Sequence, residues 1–132
     1  MGCEPSEWRL IVGIMVELRK GEGLFLGGCF VVNKEHRPTR LYVDGSAPVL
    51  RERDAMTEER ADSAPKRLYL AIQKMYLEGA QDSLHELYLA EARSIAQTAP
   101  RLIPVLHEIE SLVTSGKLYK ALREARPLFE EI

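Results

Sequence analysis

The chain is poor in the residues that carry redox and metal chemistry: two cysteines, three histidines and one tryptophan occur in 132 residues. Cys3 and Cys29 supply neither a disulfide framework nor a metal quartet, which points to a reduced, cytoplasmic setting. Cys29 sits in an apolar run and reads as a buried, inert thiol. His36, His85 and His107 include no pair four residues apart, so the sequence predicts no metal site and no cofactor. No apolar run approaches the roughly 18 residues of a membrane span. The longest N-terminal run, Leu10 to Val16, follows Glu4 and Glu7 and one arginine, the wrong flank for a signal peptide. An excess of one charge is missing too. Eighteen basic residues stand against 20 acidic ones, which excludes a globally basic nucleic-acid coat but leaves room for a local basic face.

Catalytic patterns are equally scarce. Gly21-Glu-Gly23 followed by Gly27-Gly28 resembles a phosphate loop only in part: the third glycine would fall at Leu26, and a strand follows where a helix is required. Asp82, Ser83 and His85 crowd into one helical turn, where a relay cannot form. The sequence offers no catalytic residue, and the protein reads as no enzyme.

What is present is an ordinary globular composition, 45% hydrophobic and 29% charged, with two periodicities that meet near residue 55. The expected fold is α+β: a small antiparallel sheet over residues 15–55, then about four amphipathic helices over 60–132, within a single domain. Residues 1–14 fit this plan poorly and read as a peripheral lead-in or an over-extended start before Met15. Leu24 to Val32 reads as one strand with a bend or bulge at Gly27-Gly28. Asp44-Gly45 between short apolar runs predicts a hairpin pairing Val43 with Ser46, Tyr42 with Ala47 and Arg40 with Val49. In the helical half, Asp62 or Ser63 caps a helix with Leu68, Ile72, Met75 and Tyr76 inward. Ser83 to Glu86 matches a capping box for the next, with Leu84, Leu87, Tyr88 and Ile95 inward. A third stripe runs Leu102, Val105, Leu106, Ile109, Leu112 and Val113 to a stop at Ser115-Gly116. Leu118, Ala121, Leu122, Ala125 and Phe129 carry the last helix, which Pro127 kinks or frays.

One surface constellation stands out. The expected hairpin places Leu41, Val43 and Leu50 on a core face and Arg40, Tyr42 and Arg51 on the outward face. Arg53 lies beyond it, Lys34 and Arg37 precede it, and Lys66 and Arg67 open the first helix. Arginines around a tyrosine on a sheet suit single-stranded RNA, guanidinium to phosphate and ring to unstacked base. A second surface is available in principle: Leu118, Leu122 and Phe129 form an apolar stripe suited to a partner helix or a homodimer.

Four blocks resemble one known family. Val49-Leu-Arg-Glu-Arg-Asp-Ala-Met56 resembles the V-L-R-E-(K/R)-D-x-M segment of the FlbT family of flagellum-biosynthesis repressors. Ala64-Pro-Lys-Arg-Leu-Tyr-Leu-Ala-Ile-Gln-Lys-Met-Tyr76 is similar to that family's next block. Glu17-Leu-Arg-Lys-Gly-Glu22 with Gly27-Gly28 resembles its opening, with Lys20 where the family usually carries proline. Ser115-Gly-Lys-Leu-Tyr-Lys-Ala-Leu-Arg-Glu-Ala-Arg126 resembles its end. The resemblance implies a small cytoplasmic bacterial protein that associates with the 5′ untranslated region of flagellin mRNA and lowers its translation and stability. It implies no residue-level RNA site, no membrane and no DNA. Two readings follow: a repressor binding the flagellin mRNA leader through the basic hairpin, or a flagellar chaperone or adaptor whose helical half binds flagellin or FlaF.

Overall fold

The computed structural model describes residues 13–132; the expectation for the lead-in at 1–12 lies outside the described residues. The chain divides after Arg53 into two compact units.

The first unit is built from five strands: β1 (Gly13–Leu18), β2 (Gly23–Leu26), β3 (Cys29–Val32), β4 (Thr39–Asp44) and β5 (Val49–Arg51). They form two antiparallel sheets, β1-β4 and β3-β2-β5. Alternation along β1 buries Val16 and Leu18, and these meet Leu24 of β2 in one core, flanked by Leu26, Val31, Leu41 and Val49. The strand includes the two residues before Met15, with Gly13 opposite Asp44 and Ile14 opposite Val43.

Three expectations fail here for identifiable reasons. Leu24 to Val32 is a hairpin, not one bulged strand: Leu26 pairs with Cys29 around a two-residue turn. Only Gly27, the first of the two turn residues, has positive φ (57°), the pattern of a type II′ turn that matches strand twist. Asp44-Gly45 does not fold β4 onto β5. β4 pairs with β1, while β5 pairs with β2 in the other sheet. In the expected register Pro48 would stand opposite Leu41 with no N–H to give a ladder. Its carbonyl instead accepts from Gly27 N at 2.8 Å. Cys29 is exposed, because the hairpin carries it to a sheet edge.

The second unit carries α1 (Ala64–Glu78), α2 (Asp82–Thr98), α3 (Ile103–Thr114) and α4 (Leu118–Ala125). Ser63 caps α1, accepting from Lys66 N, and Pro65 sits in the first turn where its missing N–H costs nothing. The α1 stripe buries Leu68, Ile72 and Met75. α2 opens at Gln81 without a side-chain cap, so Ser83 lies inside the helix. Tyr88 and Ile95 are its buried residues, and Leu87 is exposed, contrary to expectation. α3 closes with paired bonds, Gly116 N to Val113 O (3.1 Å) and Lys117 N to Leu112 O (2.8 Å). That is a Schellman stop, and it needs the left-handed φ of 80° that Gly116 supplies. α4 ends at Ala125 and tightens into a 3₁₀ turn, Arg126–Glu130, around Pro127. No described helix is long and apolar enough to cross a membrane.

Candidate functional site

Within the first unit, the outward face of the β1-β4 sheet is set by strand alternation. Arg40 and Tyr42 point out, while Leu41 and Val43 are half-buried. Tyr42 is 53% exposed and stands opposite Met15, itself 60% exposed. The Tyr42 ring also lies across Gly13, where a Cβ would overlap it. The face therefore presents an aromatic ring held against bare backbone, a soft thioether and one guanidinium. Glu17 stands directly opposite Arg40 in the ladder, so the cation is opposed by a carboxylate.

Arg51 is not on this face. It pairs with Leu24 in the other sheet, and facing residues share a side, so Arg51 lies with Leu24, Leu26 and Val49. Leu50 is buried as expected, but it lies with Phe25 on the reverse side from Val49. The Arg51 guanidinium donates to the Glu17 carbonyl at 2.9 Å. The cause is the changed strand pairing: with β5 on β2, the expected shared face no longer exists. Arg53 is exposed, 4.0 Å from Glu22. Arg51 and Arg53 instead line a depression of about 350 Å³ with Lys20, Gly21, Glu22, Gly23 and Glu52. Lys20, which makes no ion pair among the described residues, joins them there although it was not among the residues expected at the site. Lys34 and Arg37 are exposed on the β3–β4 loop, which buried Asn33 holds. Asn33 Nδ2 donates to Leu18 O (2.9 Å) and Arg37 O (3.0 Å), and its Oδ1 accepts from Glu35 N (2.9 Å) and the Thr39 hydroxyl (3.3 Å). Over residues 13–53 seven basic side chains stand against five acidic ones; over 54–132 ten stand against 13. The β unit is the positive one.

Lys66 and Arg67 belong to the helical unit. Lys66 pairs with Asp62 at 3.3 Å and Arg67 with Glu91 at 3.1 Å. Lys66 shares a concavity of about 450 Å³ with Phe129, bringing together one residue expected to touch RNA and one expected to touch a partner protein. Met56, Arg60, Arg126 and Glu130 complete its lining. The partner stripe is mostly occupied by its own unit: Leu122 is 2% exposed, Leu118 is half-buried, and Phe129 packs edge-on against Tyr69 at 5.3 Å.

Two tyrosines have perturbed ionisation. Burial pushes the Tyr69 phenol up, partly offset by the Arg126 guanidinium beside it. Burial also holds the Tyr88 phenol far above its ordinary range, and the Glu110 carboxylate adds to the rise. By hydrogen-bond geometry the enclosed Tyr88 hydroxyl has no partner among the described residues, although Glu110 is near enough to act on its ionisation. Among the described residues no three His, Cys, Asp or Glu side chains are grouped to hold a metal ion.

Residues 14–131 match the family model described as flagellar protein FlbT. A protein of Rhodopseudomonas palustris named probable flagellum biosynthesis repressor protein FlbT is 38% identical over 117 residues, covering 89% of this chain and 92% of the relative. One from Bradyrhizobium diazoefficiens, with a name of the same form, is 36% identical over 118 residues, 89% of this chain and 80% of the relative. The flagellum biosynthesis repressor protein FlbT of Caulobacter vibrioides is 29% identical over 121 residues, 89% and 84% of the two chains. No solved structure matches the chain.

Proposed function

The chain belongs to the flagellar protein FlbT family, and on that premise we propose that it represses flagellum biosynthesis by binding the 5′ untranslated region of flagellin mRNA. Repression is taken from the names of the relatives and the flagellin mRNA leader from what the family resemblance implies, and the chemistry of the β unit suits single-stranded RNA. Its carrying observation is the outward β4 face, where an exposed Tyr42 stands two residues from Arg40 on a unit with net positive charge. A ring on a sheet gives an unstacked base a platform, and guanidinium groups give the backbone its counter-charge. Arg53 and Lys20 extend the positive surface of the same unit, and Lys34 and Arg37 do so on an anchored loop. Arg51 is committed to the Glu17 carbonyl and shapes the depression more than it reaches out of it. The adaptor reading is the weaker one, since Leu122 already lies inside its own unit.

The experiment is direct binding of purified protein to a flagellin leader RNA across a salt series. Binding that weakens steeply with salt, by a slope of about 0.7 per phosphate contacted, supports the proposal. Tyr42→Ala should weaken binding by about 1–3 kcal/mol for each base it stacks, and Arg40→Ala should lower the slope by roughly one contact. Salt-independent binding, or none, sinks it.

A further inference from the structure

We propose that the concavity bounded by Arg60, Lys66, Arg126 and Phe129 in the helical unit binds a nucleotide, with its phosphate among the three cations and its base against the Phe129 ring. Three positive groups line one depression of about 450 Å³ beside a single carboxylate, Glu130. None of the three is neutralised by a close, buried partner. Arg60 makes no ion pair among the described residues and is steadied only by the Ala55 carbonyl at 3.4 Å. Lys66 meets Asp62, whose side chain is 74% exposed, and an exposed pair of that kind yields readily to a competing anion. Arg126 is 4.0 Å from the Asp54 carboxylate, a loose pairing.

Arg126 is nevertheless fixed in place. Its guanidinium carbon lies 5.5 Å from the Tyr69 ring centroid and 5.7 Å from that of Phe129, and its Nη1 donates to the Tyr69 hydroxyl at 3.1 Å. A planar fork held by rings keeps donors free for a phosphate while losing little freedom on binding. Lys66 stands in the first turn of α1, which carries no acidic residue. The positive end of a helix favours an anion, and with Lys66 there and Arg60 and Arg126 on the same depression, an incoming phosphate can meet three cations whose own carboxylates, Asp62 and Asp54, are exposed or loosely placed. Phe129 and Met56, which also line the depression, add an aromatic and apolar surface that bare phosphate does not use but a base does. The same chemistry comes from a free mononucleotide or from one nucleotide of an RNA strand. This pocket lies in a different unit from the Tyr42 face and stands independently of it.

The test titrates the full chain with AMP, with inorganic phosphate and with a short single-stranded oligoadenylate. AMP and phosphate should both bind, AMP more tightly. Arg60→Ala should weaken both by about tenfold, the loss of one charge-assisted hydrogen bond. Phe129→Leu, which keeps an apolar side chain against Tyr69, should weaken AMP by about fivefold and leave phosphate unchanged. Competition between oligoadenylate and AMP assigns the pocket to RNA; AMP binding that the oligomer cannot displace assigns it to a free nucleotide. No saturable binding of AMP or phosphate, or equal affinities in wild type and Arg60→Ala, overturns the proposal even if leader RNA still binds. Conversely, loss of leader-RNA binding in Tyr42→Ala with AMP affinity intact leaves this pocket standing.

Discussion

Gln73 grips the backbone of Met56 from both sides: its Oε1 accepts from the Met56 N–H at 2.6 Å, and its Nε2 donates to the Met56 carbonyl at 3.0 Å. One turn earlier on the same helix, the Tyr69 hydroxyl donates to the Asp54 carbonyl at 2.7 Å. Residues four apart share a helix face, so α1 holds the segment leading into the helical unit as a sheet neighbour would. Gln73→Leu should leave two buried backbone groups unpaired and cost about 2–4 kcal/mol in chemical denaturation. Gln73→Glu, which offers no N–H to the carbonyl when ionised, should cost at least as much. A loss below about 0.5 kcal/mol would show that the clamp contributes nothing.

Asn33 plays the corresponding part in the β unit, with four bonds to the β1 end, its own loop and Thr39. Asn33→Ala should destabilise the protein by about 2–3 kcal/mol, since the buried Leu18 carbonyl loses its side-chain donor. It should also raise hydrogen-exchange rates at Glu35 N, whose acceptor is the Asn33 side chain. Unchanged exchange there would mean the loop is ordered by something else.

Arg51 and Tyr42 should separate in their effects. Arg51→Ala removes a bond from the second sheet to β1 and should cost about 1 kcal/mol of stability. Tyr42→Ala, at a half-exposed position, should stay within about 0.5 kcal/mol. Melting curves of the two variants decide this, and the reverse ranking would make Tyr42 a structural residue.

Tyr88 predicts alkaline behaviour. Its folded pKa is raised, so the folded state keeps the proton when the unfolded chain, near the ordinary value of about 10, begins to release it. Below that pH both states hold the proton and stability does not depend on it; as pH rises beyond it the unfolded chain gains by ionising and stability falls. Tyr88→Phe should flatten the fall in stability above about pH 10. Near neutrality it should be neutral or stabilising by up to about 1 kcal/mol, because an enclosed hydroxyl without a partner is removed. A clear loss at pH 7 would show that the phenol bonds Glu110 in solution.

Local chemistry was legible wherever it acts over a few residues. The helix capped at Ser63, the stripe through Leu68, Ile72 and Met75, and the glycine stop at Gly116 all follow from spacing of 3.6 residues and from end-group hydrogen bonding. The outward pointing of Arg40 and Tyr42 followed from alternation alone. The partner of each strand did not. Asp44-Gly45 carries a strong local hairpin signal, yet β4 lies against β1 and β5 against β2.

Sequence by itself thus determined the order of a strand-rich half and a helical half, the buried stripe of α1 and the alternation along β4, because those depend on neighbours along the chain. It also placed the chain in its family through four ordered blocks. Tertiary structure alone decided that Arg51 turns to the Glu17 carbonyl, and that Lys66 and Phe129 meet Arg60 and Arg126 around one concavity. The physical reason is long-range pairing. Strand partners and pocket walls are chosen by which arrangement buries Val16, Leu18 and Leu24 in one unit, or the α1 stripe in the other, while backbone groups find partners. That choice is made between residues tens of positions apart, where no local spacing records it.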